Sequence, residues 1–279
     1  MPSKLFDEFT PISSKQWKQK IQFDLNGANY NDMLIWKTNE NITVKPFYHA
    51  DEFSSLPKPS NTKATQWKIC QTIYVFDVKK SNTHALDALQ KGIEAIKFII
   101  PSDTISLNHL IENINTATPI YFELKFLSES FTKNILKSHP SAKISVDIIG
   151  NLAKTGNWFT NLNFDFKHFQ SIVKQSATFT INMALYQNAG ANMTQQLAYG
   201  LSHANEYLNN IDNVLSKEKK SSFKILFNVS VGTNYFLEIA KLKALRILWE
   251  TIAIEYGFNT DCEIIVTPTK RNKTLYDYN

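Results

Sequence analysis

The sequence predicts a parallel α/β fold, and three observations carry the prediction. Strand-like apolar segments alternate with amphipathic helical ones along most of the chain. The 279 residues match one barrel-sized domain of about 250 residues plus an arm. Residues 179–211 run from an alternating apolar segment through a turn at Asn188–Ala191 into a long helix. Strand, turn and helix form the repeating unit of such folds, and the turns carry their sites.

Taken in order, residues 1–63 read as an arm and linker, and 64–279 as the α/β domain. In the arm, Ser13 and Gln16 match a capping box. Trp17, Ile21 and Leu25 then recur every four residues, and Asn26-Gly27 supplies a stop. A helix that short needs a surface to lie on, either its own domain or a partner chain. Residues 54–63 read as a Pro/Ser/Lys linker.

The domain itself gives strand-like segments near 69–76, 95–100, 119–125, 144–149, 179–185, 223–231 and 262–267. Helical patterns fall near 83–91, 106–115, 128–138, 164–175, 192–212 and 234–256. In 192–212 the apolar stripe is Met193, Leu197, Leu201, Ala204, Leu208 and Ile211, with Asn188 or Asn192 as cap. In 234–256 it is Tyr235, Ile239, Leu242, Leu245, Trp249, Ile252 and Tyr256, with Lys241, Lys243, Arg246 and Glu250 mostly off it.

Composition excludes several classes. A net charge of +5 is mild, and Lys217–Lys220 and Lys270–Lys273 read as solvated loops, so no nucleic-acid surface is expected. Cys70 and Cys262 lie in apolar runs and form no zinc pattern. No apolar run approaches the roughly 18 residues of a membrane span, and no signal-peptide stretch opens the chain. A cytoplasmic location without membrane, nucleic acid or metal is the expectation. None of the six histidines (His49, His84, His109, His139, His168, His203) pairs at helical ligand spacing, so they read as surface or structural. Asp77, Glu123 and Asp147 stand where barrel enzymes keep acids. Asp147 is the best of them, and a hydrogen-bonded structural role is the expectation for it. Asn182 and Asn228 read as polar filling within strands.

Several stretches resemble the methylmalonyl-CoA mutase family. Trp36-Lys37-Thr38-Asn39-Glu40 and Val44-Lys45-Pro46-Phe47-Tyr48 resemble the family's W-x-T-x-E-G-I-x-V-K-P-x-Y, with Asn41 in place of the Gly. Ala189-Gly190-Ala191 and Gln195-Gln196-Leu197-Ala198-Tyr199 resemble its A-G-A turn and following helix. Residues 232–250 resemble its F-x-E-I-A-K-L-R-A-x-R-x-L-W helix. Where the family's catalytic chains read Tyr-His, this chain has Ala184-Leu185, and their Glu is Asn188. Their P-W-T-I-R-Q-Y-A-G segment and D-x-H-x-x-G cobalt-ligand motif do not occur.

The resemblance therefore implies a (β/α)8 TIM-type barrel and the non-catalytic small subunit. Such a subunit pairs as a heterodimer with a catalytic large subunit, which binds adenosylcobalamin and interconverts methylmalonyl-CoA and succinyl-CoA. No catalytic, cofactor or metal residue is expected in this chain. Trp17, Ile21 and Leu25 are the expected partner contacts. Seven strand segments, and a tail resembling the segment after the family's seventh strand, imply a barrel incomplete at its C-terminus and a marginal monomer. Two other readings stay open: a catalytic mutase-like chain with relocated residues, and a stand-alone binding barrel.

Overall fold

The computed structural model describes residues 8–55 and 66–273. Most of the 54–63 segment and the tail from Thr274 lie outside the described residues. The chain divides into two compact units, Met1–Asn61 and Thr62–Asn279.

In the first unit, α1 (Ser14–Asp24) is opened by the expected capping box, Ser13 and Gln16 each accepting from the other's backbone N–H. Then follow α2 (Tyr30–Leu34) and a hairpin of β1 (Trp36–Lys37) and β2 (Thr43–Val44). The hairpin turns through Asn41 at φ 61°. This is the left-handed region, and Asn is the residue other than Gly that tolerates it best.

The second unit holds two parallel sheets. The first has β3 (Cys70–Tyr74), β4 (Ala95–Ile100), β5 (Ile120–Leu124) and β6 (Lys143–Ser145), in that order. The second has β7 (Thr178–Asn182), β8 (Lys224–Val231) and β9 (Cys262–Pro268). Between strands run α3 (Val78–Gln90), α4 (Leu107–Leu110), α5 (Glu129–Ser138), α6 (Ile148–Thr155) and α7 (Leu162–Ser176). Beyond β7 come α8 (Ala184–Asn188), α9 (Met193–Ile211), α10 (Lys217–Ser222) and α11 (Tyr235–Tyr256).

Alternate residues of each strand face the helices. Ile96, Phe98, Phe122, Ile144, Phe179, Ile181, Ile225 and Phe227 form one buried cluster spanning both sheets. The opposite strand faces also meet. Ala95, Tyr121 and Leu226 form a separate buried cluster with Cys70 and Ile265 against it, drawing on five strands of both sheets. Glu263 of β9 reaches the Tyr121 hydroxyl of β5 and the Lys143 ammonium of β6. At the seam between sheets, Thr178 Oγ1 donates to the Ile144 carbonyl at 3.3 Å.

Several expectations are corrected. The strand expected to reach residue 185 ends at Asn182, and Ala184 and Leu185 stand on α8 instead. The strand expected over 144–149 ends at Ser145, because Asp147 accepts from Gly150 N–H at 2.7 Å and starts α6. The helix expected over 106–115 is the single turn α4. Lys217–Lys220 is not a loop but most of α10, capped by Ser216. On α9, Met193, Leu197 and Leu201 are only half-buried, and the buried stripe includes Gln196, Gly200, His203 and Tyr207. On α11, Lys241 is buried at 2 % exposure while Tyr235 stands out at 71 %.

At Gly200, α9 lies against the side chain of Met183, the residue after β7. A Cβ there would come within 2.6 Å of Met183 Cγ. An added Cβ would require the buried Met183 side chain to shift or the helix to lift.

Candidate functional site

Two buried polar clusters lie beyond the C-terminal ends of the strands, where parallel α/β folds keep their sites. Both are bridged by α9.

The first is built on Asp147, at the seam of the two sheets. Its Oδ1 accepts from Gly150 N–H at 2.7 Å and from the Tyr207 hydroxyl at 2.8 Å. Its Oδ2 accepts from Asn182 N–H of β7 at 2.8 Å, tying one sheet to the other. His203 Nε2 lies 2.9 Å from Oδ1, and its Nδ1 is 3.2 Å from the Tyr186 hydroxyl. The Tyr207 hydroxyl in turn accepts from Ile149 N–H at 2.9 Å. Its ring is packed among Phe166, Phe169 and Phe179.

Burial alone would raise the Asp147 pKa. The His203 ring beside it and the donors from Gly150 and Tyr207 outweigh that and hold the carboxyl below its ordinary value. Tyr207 moves the other way, well upward, through burial and the neighbouring Asp147 charge. Tyr186 is raised to about 12 for the same two reasons, in the same order. The phenols therefore stay protonated and donate.

The second cluster lies under β8 and α11. Glu238 Oε1 accepts from Gly232 N–H at 2.7 Å, and Oε2 sits 2.6 Å from Lys241 Nζ. Lys241 Nζ also donates to the Ser230 carbonyl at 2.8 Å and to Gln196 Oε1 at 2.9 Å. Gln196 Nε2 donates to the Ala191 carbonyl at 2.9 Å, holding the loop before α9. Burial lowers the Lys241 pKa, and Glu238 only partly opposes the shift.

The positions singled out from sequence fall around these clusters. Ala184 and Leu185, on α8, offer neither donor nor acceptor from their side chains. Asn188 Oδ1 accepts from the Thr269 hydroxyl at 3.1 Å and from Lys270 N–H at 2.9 Å, and Nδ2 donates to Ser230 Oγ at 3.4 Å. It clamps the chain leaving β9, and the cap of α9 is Asn192, with Gln195 completing a capping box. Asp77 caps α3 by accepting from Lys80 N–H at 2.8 Å. Glu123 pairs with Lys97 at 2.8 Å and with Lys125. Burial would raise it, but the two ammonium charges pull it down to about 2. Asn228 is buried on the strand face opposite the helices. In the first unit, Trp17 is 48 % exposed, and Ile21 and Leu25 are half-buried.

His203, Tyr207, Gln196, Glu238 and Lys241 were not singled out as site residues. A signal was present on α9: Gln196, Gly200, His203 and Tyr207 recur at steps of four, three and four. That is a helical stripe one position round from the apolar one.

Residues 99–270 match the family model described as Methylmalonyl-CoA mutase. The chain belongs to the methylmalonyl-CoA mutase family. It is similar to a methylmalonyl-CoA mutase small subunit of Porphyromonas gingivalis, 29% identical over 98% of this chain and 50% of that relative. It is also similar to a methylmalonyl-CoA mutase of Cereibacter sphaeroides, 30% identical over 86% of this chain and 42% of the relative. A third relative is the small subunit of Propionibacterium freudenreichii subsp. shermanii, 22% identical over 92% and 46% respectively. The chain spans about half the length of these curated relatives.

Within this frame the mutase-like motif of residues 232–250 has a structural reading. Its Glu and Lys are Glu238 and Lys241, which pin α11 to the end of β8 and to α9. Among the described residues no group of three or more His, Cys, Asp or Glu could hold a metal ion. No helix among them is long and apolar enough to cross a membrane.

Proposed function

We propose that this chain serves as the non-catalytic small-subunit portion of an adenosylcobalamin-dependent methylmalonyl-CoA mutase. It supports a catalytic large subunit that interconverts methylmalonyl-CoA and succinyl-CoA. One observation carries the reading. The charged side chains clustered beyond the strand ends, Asp147, Glu238 and Lys241, are each engaged by groups of the fold. Asp147 carries a helix start, a strand N–H, a tyrosine and a histidine. Asn188, at the position of the family's Glu, is engaged by Thr269, Lys270 and Ser230. A catalytic acid or base must reach a substrate proton, and Ala184 and Leu185 have none to exchange.

The cofactor belongs to the large subunit in this reading. His203 does not fit a cobalt ligand, since one ring nitrogen faces Asp147 and the other Tyr186. The similarity to small subunits of two-subunit mutases supports a heterodimer. Trp17, with Ile21 and Leu25 on the same helix face, is the proposed contact of the arm with that partner. The two parallel sheets are proposed as arcs of one TIM-type barrel. The inner cluster of Cys70, Ala95, Tyr121, Leu226 and Ile265, and the reach of Glu263 to β5 and β6, support that closure.

The test has two arms. Purified chain given adenosylcobalamin and methylmalonyl-CoA should form no succinyl-CoA, and measurable isomerisation would overturn the reading. The chain should co-purify with a mutase large subunit, and Trp17→Ala with Ile21→Ala should weaken that association. Failure of the intact chain to associate would overturn the subunit role.

A further inference from the structure

His203 is a buried ring with a polar neighbour at each nitrogen. It stands on α9 with its side chain 1 % exposed. Nε2 lies 2.9 Å from Asp147 Oδ1, and Nδ1 lies 3.2 Å from the Tyr186 hydroxyl on α8. The titratable groups that face the ring are Asp147 from the start of α6, Tyr186 from α8 and Tyr207 on its own helix, with Tyr199 behind Tyr186. The Tyr207 hydroxyl is spent on Asp147 and on Ile149 N–H. Only Asp147 and Tyr186 are left to deal with the protons of the imidazole.

The two contacts differ in kind. Asp147 is held below its ordinary value, so it faces the ring as a carboxylate, which only accepts. Nε2 therefore keeps its hydrogen whether the ring is neutral or charged. Oδ1 already takes the Gly150 N–H and the Tyr207 hydroxyl, and Nε2 meets it off the line of a hydrogen bond. That contact gains from charge more than from alignment. The proton that comes and goes then sits on Nδ1, facing Tyr186. In the neutral ring Nδ1 is bare, and the Tyr186 hydroxyl donates to it. In the charged ring Nδ1–H donates to the Tyr186 oxygen, and the phenol turns its own hydrogen away. Tyr186 keeps that hydrogen in both states, since burial and the Asp147 charge push it up to about 12. We propose that His203 and Tyr186 form a proton-operated latch, in which proton uptake at Nδ1 reverses the hydrogen bond between α9 and α8 and tightens it. A bond donated by an imidazolium is shorter and roughly twice as strong as one between neutral groups. The same proton draws the ring toward Asp147, so α8 and the seam between the sheets are gripped together. The latch uses contacts inside the cluster and is independent of the subunit reading.

Nitrogen NMR of the isotope-labelled chain tests this across the range in which histidines titrate, from about pH 8 down to about pH 5. The His203 ring is assigned by loss of its signals in His203→Gln or, should that variant not fold, by its closeness to the Tyr186 and Tyr207 rings. At the upper end the ring should show the Nε2–H tautomer. On acidification Nδ1 should take the large shift and Nε2 a small one. The amides of Ala189, Gly190 and Ala191, bonded back to α8, report on the grip. Their exchange should slow by at least about threefold across the same midpoint, beyond its intrinsic dependence on pH. Tyr186→Phe should keep the tautomer and abolish that slowing. An Nδ1–H tautomer, a ring that does not titrate in this range, or exchange indifferent to the midpoint or to Tyr186→Phe would each overturn the proposal.

Discussion

The Asp147 cluster meets the second half of α9 and the Lys241 cluster its first turn, and each buries charge in its own way. Around Asp147 one carboxylate is surrounded by donors: two backbone N–H groups, one phenol and an imidazole. Around Lys241 a carboxylate and an ammonium are buried together and the surplus valences go to a carbonyl and an amide. Backbone N–H groups and a phenol cost little to bring together around a carboxylate, whereas two desolvated ions must first recover their lost hydration. The directions of the pKa shifts reflect this. Asp147 is held down, in spite of burial, first by the His203 ring beside it and then by its other donors, while Lys241 is pushed down by burial in spite of Glu238. A carboxylate solvated by donors is stabilised as an ion; a buried lysine beside one acid is tolerated.

That contrast orders the expected effects. Asp147→Ala should be the most damaging, at about 3–5 kcal/mol by urea unfolding, because it orphans buried donors on both sheets and opens the start of α6. Lys241→Met should cost about 3 kcal/mol, since it strands the Glu238 charge. Adding Glu238→Gln should recover most of that loss, as expected when a buried pair is replaced by groups of similar volume. A double variant no better than Lys241→Met would erase the distinction between the clusters.

Acid should next act through Glu123. Its folded pKa of about 2 lies below the ordinary 4.5. Its contribution is thus complete above about pH 5 and lost as pH falls toward about 2, on the order of 3 kcal/mol. A Lys97→Met variant should flatten that acid limb of the stability profile. Tyr207→Phe should cost about 1–2 kcal/mol by removing one bond to Asp147. Tyr186→Phe should cost under about 1 kcal/mol, since its hydroxyl meets only the His203 ring at 3.2 Å. Equal effects of the two tyrosines would mean that the imidazole, not the carboxylate, organises the cluster.

Much of the architecture was legible in the sequence because it rests on local rules. The run Ala95–Ile100 is bounded and apolar, the Ser13/Gln16 box is a fixed spacing, and Trp249 lies on a clear stripe. The failures have physical causes. Ile148-Ile149 extend an apolar run, so the strand was read past Asp147, whose capping of Gly150 announces a helix. Met183-Ala184-Leu185 carries no polar break, so the turn of α8 was invisible to periodicity.

The clusters themselves were harder to read. Lys241 reads as off the apolar stripe because it is charged, and its partners come from α11, β8 and α9. Likewise Asp147 was identified as a hydrogen-bonded acid, but His203 and Tyr207 reach it only once α9 is laid over the seam. Single residues with chemical promise were legible; the company they keep was set by tertiary packing.

Gly200 has a consequence for how such a chain can change. It lies on α9 between Gln196 and His203, with Met183 directly beneath. A single added methyl would have to displace the buried Met183 side chain or lift the helix, and a lift would pull on the polar contacts on both sides of Gly200. Acids, amides and phenols at either end can be exchanged one at a time, each with its own penalty. The height of the helix over Met183 couples them, because Gln196, His203 and Tyr207 all reach their partners from it.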